Sequence, residues 1–166
     1  MPATLPEVIE PMRLADKGAR LQGDLQLSKM TRLAPLLQEQ AGTVSVDISF
    51  SKNDEGIQCI NGNVKAQLKV LCQRCLEPME IPVCVDLRLE LTDTLTAEPR
   101  IYDNYEPLLV TAETLSLVEL VEDELLLALP ISPMHPEGEC ATALVQYTAI
   151  HTRDNPFTSL SSLKRQ

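Results

Sequence analysis

Apolar and polar residues alternate with a period of two in three successive runs of the chain. Val44, Val46, Ile48 and Phe50 alternate with Ser45, Asp47 and Ser49. Val64, Ala66, Leu68 and Val70 alternate with Lys65, Gln67 and Lys69, and Ile81, Val83, Val85, Leu87, Leu89 and Leu91 share a face opposite Asp86, Arg88 and Glu90. Period two sends successive side chains to opposite faces of a strand, so each run predicts a strand with one apolar and one wet face. Such strands belong to an antiparallel sheet, because parallel sheets are covered on both faces. Asn53-Asp54-Glu55-Gly56 supplies turn residues for a hairpin between the first two runs. The second run starts at Ile57 and is interrupted at Asn61-Gly62-Asn63, which suits a tight turn or a bulge equally.

Elsewhere the period changes. Leu117, Leu120, Val121, Leu125 and Ala128 form one stripe at helical spacing, with Glu119, Glu122 and Asp123 facing elsewhere. Ser116 and Glu119 match a capping box, and Pro130 ends the run. A second helix is predicted over Lys29–Gln40, N-capped by Ser28, with Met30, Leu33, Ala34 and Leu37 on one face. Residues 1–24 carry Pro2, Pro6 and Pro11 and read as an extended arm ending in a short edge strand. Residues 92–113 read as a long surface loop, and Pro133, Pro136 and Gly138 prevent regular structure after 131. The fold class expected is α+β: a twisted antiparallel sheet over about residues 43–91 with two packed helices, a partly closed barrel remaining open as an alternative. Residues 1–140, the arm included, are expected to form a single domain, with 141–166 a mobile C-terminal tail.

Composition narrows the core. Of 166 residues 44% are hydrophobic but only 3% aromatic, with no Trp, so the core has to be built from Leu, Val and Ile. A chain of this length can bury a core without disulfides or metal. It has no run of about 18 apolar residues, and Met1–Glu7 lacks the charged-then-apolar order of a secretory signal, so a cytoplasmic protein is expected. Five cysteines in a reducing compartment are then free thiols or metal ligands.

The net charge of −10 is unevenly spread. Residues 1–75 carry nine Lys/Arg against eight Asp/Glu, residues 76–150 two against fifteen, and the last sixteen three against one. RNA would be repelled by the middle segment and could be met only through the first, by Arg13, Lys17, Arg20, Lys29 and Arg32, joined by Lys164 and Arg165 of the tail. An acidic surface more naturally faces a basic partner, and the helix carrying Glu119, Glu122, Asp123 and Glu124 is the candidate docking face; the plainer reading is a solvated acidic face.

The chemistry-bearing constellation is Cys72-Gln73-Arg74-Cys75 with His135 and Cys140 about sixty residues later. A C-x2-C bend lets two thiolates converge on one cation, and Cys72, Cys75, His135 and Cys140 would supply a Cys3His set for one structural zinc. The spacing is not that of a zinc ribbon, so two other readings stay open. The cysteines are small, partly buried apolar residues at a strand end and His135 an ordinary loop histidine, or Cys72 and Cys75 are a thiol oxidoreductase pair, although acidic Glu77 and Glu80 would raise their pKa values. Cys59 and Cys84 read as structural, with Cys84 on the wetter face of its strand. There is no Gly-rich phosphate loop, no Ser/His/Asp arrangement, no aromatic-plus-basic stripe, and only two histidines, so no enzyme is expected.

Together these segments resemble the large ribosomal RNA subunit accumulation protein (YceD) family. The resemblance is carried by Cys72-x-x-Cys75 after an alternating strand, Tyr105-Glu106-Pro107, the run Val121–Pro130, His135 with Cys140, and Asn155-Pro156-Phe157 with Leu160 and Leu163-Lys164. It implies a non-enzymatic role in synthesis, processing or stability of large-subunit (23S) ribosomal RNA in bacteria, with plastid relatives similar in role. The partners it implies are a large-subunit assembly intermediate, a basic ribosomal protein or 23S ribosomal RNA, with no membrane and no small-molecule substrate. It also implies that the cysteine and histidine cluster is a shared site.

Overall fold

The three alternating runs form the centre of a five-stranded sheet. The computed structural model describes residues 5–53, 55–93 and 105–140. In chain order its elements are β1 (Val8–Ile9), α1 (Pro11–Asp16), β2 (Arg20–Gln26), β3 (Thr43–Lys52), β4 (Gln58–Leu71), β5 (Pro78–Thr92), β6 (Glu106–Leu109), β7 (Leu115–Ser116) and α2 (Leu117–Ala128). The main sheet has the order β2-β3-β4-β5-β6, and β1 pairs with β7 in a separate two-stranded ribbon. The fold is α+β, and among the described residues the sheet stays open with β2 and β6 as its edges, so no barrel closes there.

Neighbours from β2 to β5 are antiparallel, as the alternation predicts, but β6 runs parallel to β5, from Leu89↔Glu106 to Thr92↔Leu109. The sheet is therefore mixed, and part of the expected loop over 92–113 is a strand. Glu106-Pro107-Leu108-Leu109 is too short to show a period, and Pro107, which has no N–H to donate, is tolerated because the strand is an edge.

Asn61-Gly62-Asn63 makes neither turn nor bulge. β4 runs through it in unbroken register, Gly62 facing Ile48 on one side and Leu87 on the other. Gly62 falls on the core face, and a Cβ there would meet the carbonyl oxygen of Asp47 and lie 2.7 Å from both Cα and Cγ2 of Ile48. Glycine is required because the neighbouring strand already fills the space.

The core face of the sheet carries Val44, Val46, Ile48, Phe50, Ile60, Val64, Leu68 and Leu87, all buried, and α2 covers it with Leu117, Val121 and Leu125. The start of α2 is capped as predicted, with Glu119 N–H donating to Ser116 Oγ at 3.2 Å.

The expected helix over Lys29–Gln40 does not form. The segment makes two short 3-10 turns, Leu27–Lys29 and Ala34–Leu36, yet still buries Leu27, Met30, Leu33 and Leu37. Pro35 cannot donate within a helix and crowds the preceding turn. The N–H groups of Arg32 and Leu33 are also turned to a side-chain partner on α2. Nor is the N-terminal arm wholly extended. Pro11 starts the short helix α1, which buries Ala15, and Arg20–Gln26 forms the predicted edge strand. The tail 141–166, with its Lys164, Arg165 and Asn155-Pro156-Phe157, lies outside the described residues. Among the described residues no helix is long and apolar enough to cross a membrane.

Candidate metal centre

β4 and β5 are the two arms of the longest hairpin, paired from Cys59↔Glu90 to Leu71↔Pro78. Cys72-Gln73-Arg74-Cys75 therefore sits at its tip, closed by Cys72 N–H donating to the Glu77 carbonyl at 3.0 Å and Leu76 N–H to the Cys72 carbonyl at 2.8 Å. Leu76 adopts φ 61°, in the left-handed region. After α2 the chain returns to this tip, and Gln73 N–H donates to the Pro133 carbonyl at 2.8 Å. His135 and Cys140 follow.

The ligand atoms of Cys72, Cys75, His135 and Cys140 all lie within 4.8 Å of one another. Cys72 Sγ is 3.9 Å from Cys140 Sγ, Cys75 Sγ is 3.3 Å from His135 Nδ1, and Cys140 Sγ is 3.9 Å from His135 Nδ1. With metal–sulfur bonds of about 2.3 Å and metal–nitrogen bonds of about 2.0–2.1 Å, a tetrahedral zinc site has S–S edges of roughly 3.8 Å and S–N edges of roughly 3.5 Å. The three edges here scatter around those lengths. The four residues that the C-x2-C pattern singled out thus converge into a set close enough to hold one metal ion, with Cys72 and Cys75 buried and His135 and Cys140 half-buried.

Further contacts shape the cluster. Burial pushes the Cys72 thiol up, but backbone N–H groups of His135, Cys75 and Arg74 donate to its sulfur and pull the pKa down to about 5. The His135 N–H lies 3.4 Å from that sulfur. Burial raises the Cys140 thiol, and Arg74 opposes that shift, its Nε donating to Cys140 Sγ at 2.9 Å. The same guanidinium donates from Nη2 to the carbonyls of His135 at 2.8 Å and Pro136 at 3.2 Å. Arg74 thus ties the hairpin tip to the returning segment in the manner of an outer-shell partner. The motif spacing gave no sign of this role. A low thiol pKa also suits redox chemistry, but Cys72 is wholly shielded from solvent, whereas reactive thiols are accessible. Cys84 is exposed and Cys59 buried.

The acidic face of α2 is not uniformly solvated. Glu122 is 2% exposed, and its carboxylate accepts Arg32 N–H at 2.6 Å, Leu33 N–H at 2.9 Å and Arg32 Nε at 3.1 Å. Helical spacing placed Glu122 away from the apolar stripe, whereas the 27–37 segment covers it. Asp123 pairs with Arg32 Nη1, and Glu119 remains exposed. Burial and the charges of Glu106 and Asp123 push Glu124 up. The basic residues of the first segment are largely paired as well: Arg13 with Glu10, Arg20 with Asp47, Lys29 with Glu7 and Arg32 with Glu122 and Asp123.

A match to the protein family described as large ribosomal RNA subunit accumulation protein YceD spans residues 60–164. The chain belongs to that family. A YceD relative from Haemophilus influenzae, named large ribosomal RNA subunit accumulation protein YceD, is 25% identical over 169 residues, covering 98% of this chain and 97% of the relative. No solved structure matches the chain. The YceD family match includes Cys72, Cys75, His135 and Cys140, while Arg13, Lys17, Arg20, Lys29 and Arg32 precede it.

Proposed function

We propose that this chain is a non-enzymatic ribosome biogenesis factor of the cytoplasm. It supports synthesis, processing or stability of large-subunit (23S) ribosomal RNA through a protein or ribonucleoprotein partner, and a structural zinc held by Cys72, Cys75, His135 and Cys140 stabilises the surface it presents. The observation that carries this reading is family membership, since the family is named for large ribosomal RNA subunit accumulation. The geometry favours a structural over a catalytic metal. Four protein side chains would fill a tetrahedral set, whereas catalytic zinc keeps one position open for water or substrate. Bound there, zinc would supply cross-links between the hairpin tip and the segment after α2.

Two measurements test the two parts. In a strain lacking this gene, mature large-subunit ribosomal RNA should fall relative to small-subunit RNA and recover with the wild-type gene; an unchanged ratio overturns the biogenesis reading. Native mass spectrometry of the protein purified without added metal should show one zinc, lost in Cys140→Ser with lower stability. No metal and an unaffected variant would reduce the corner to four ordinary side chains.

A further inference from the structure

The hairpin tip and the returning segment present apolar side chains outward. Leu76 is 66% exposed, Met134 52%, and Ile131 fully exposed. Single exposed aliphatic residues are ordinary, but these share one corner. Leu76 follows Cys75 and Met134 precedes His135, and Cys75 Sγ and His135 Nδ1 are 3.3 Å apart. Ile131 lies two residues before Pro133, whose carbonyl is bonded to Gln73 N–H.

Leu76 carries two penalties at once. Its φ of 61° is a conformation that glycine adopts freely and a leucine side chain resists, and that side chain gains little burial in return. Folding alone would favour glycine at this position. A partner that covers the side chain accounts for the leucine.

The surroundings state the partner's charge. Glu77, Glu137 and Glu139 are exposed on the same two segments, while Glu80 lies opposite Lys69 on the hairpin. The one cation of residues 71–80 and 130–140, Arg74, is turned inward onto Cys140 and the carbonyls of His135 and Pro136. The acidic face of α2 is a weaker candidate, because Glu122 is buried and Asp123 is held by Arg32.

We propose that the corner formed by Leu76, Ile131 and Met134, with Glu77, Glu137 and Glu139 exposed beside them in the chain, docks a lysine- and arginine-rich protein segment bearing an aliphatic anchor. This rests on the proposed function only in expecting that segment on a protein of the large subunit. The anchor fills the apolar centre, and the flanking cations meet the carboxylates, which steer the encounter and discriminate against acidic or nucleic-acid ligands.

The test uses the full chain and a ten-residue lysine-rich peptide with one central leucine, followed by fluorescence anisotropy. Binding should weaken with salt, and weaken at least tenfold when the peptide leucine becomes serine, when the protein carries Leu76→Gly, or when it carries Met134→Ser. Leu76→Gly relieves the backbone, so its thermal midpoint and metal content should not fall, which separates lost docking from lost folding. Equal binding by wild type and Leu76→Gly overturns the proposal, as does tighter binding of a single-stranded RNA oligonucleotide at this corner. If residues 141–166 of the chain itself cover the corner, the peptide will not bind and Leu76→Gly will expose those residues to protease; that result also overturns it. Leucine-dependent binding by a protein without zinc would sustain the proposal while removing the zinc reading.

Discussion

Arg32 and Glu122, ninety residues apart, form one unit: a single oxygen of the buried carboxylate accepts the backbone N–H groups of Arg32 and Leu33, and the other accepts Arg32 Nε. The carboxylate does for the 27–37 segment what a helical carbonyl would have done. It satisfies two donors that would otherwise be buried without partners. Arg32 then reaches on to Asp123 and to the Glu119 carbonyl, so one side chain spans the exposed side of α2.

Glu122→Ala should destabilise the protein by about 3 kcal/mol or more, because it leaves two N–H groups unsatisfied at about 1–3 kcal/mol each. Glu122→Gln keeps an oxygen for them and should cost about 1–2 kcal/mol. Urea denaturation of both variants measures the difference, and equal losses would mean that the charge matters more than the two backbone bonds.

Gly62→Ala should cost about 3 kcal/mol, the upper end for overpacking, since the new methyl meets the Asp47 carbonyl oxygen and Ile48 Cα, backbone atoms of β3 that cannot swing aside, as well as Ile48 Cγ2. Thermal unfolding checks it. A loss below about 1 kcal/mol would show that β3 and β4 can separate locally.

Arg74→Gln should weaken metal retention by about 10–100-fold, the usual effect of losing an outer-shell partner. The fold should be little changed, because Arg74 is exposed and its contacts lie in the corner. Competition against a zinc chelator gives the ratio. Arg74→Lys should not restore it, as an ammonium cannot bridge Cys140 Sγ and two carbonyls with a planar fork.

With metal removed, stability should respond to Cys72. Its folded pKa of about 5 is below that of an unfolded cysteine, about 8.5. The stabilisation is therefore full above about pH 8.5 and declines as pH falls, being lost below about pH 5. Melting curves across that window, in chelator and under reducing conditions, should converge for wild type and Cys72→Ser at the acid end and diverge at the alkaline end. Parallel curves would mean that the N–H donors do not hold the thiolate.

Local regularities of the chain were readable because each has a local cause. The alternation of β3, β4 and β5 reports one wet and one dry face, the Ser116 cap depends on a residue three positions away, and the exposure of Cys84 follows from its phase. The interruption at Asn61-Gly62-Asn63 was ambiguous, since its meaning lies in Ile48 on the neighbouring strand. The expected 29–40 helix had a sound apolar stripe, and three of its four members, Met30, Leu33 and Leu37, are buried. What periodicity could not register was Pro35, together with a distant carboxylate that offered the backbone another partner.

The sequence by itself determined β2 to β5, the α2 helix, the aliphatic core and the four residues able to bind a metal, because these depend on side-chain chemistry and near-neighbour spacing. Only the tertiary structure decided that β6 joins parallel to β5, that Glu122 is internal and that Arg74 turns onto Cys140. It also brought His135 and Cys140 to the hairpin tip. Each of those outcomes depends on which surfaces meet after the chain has turned, and contacts between residues 17 to 90 positions apart leave no periodic trace in the order of amino acids.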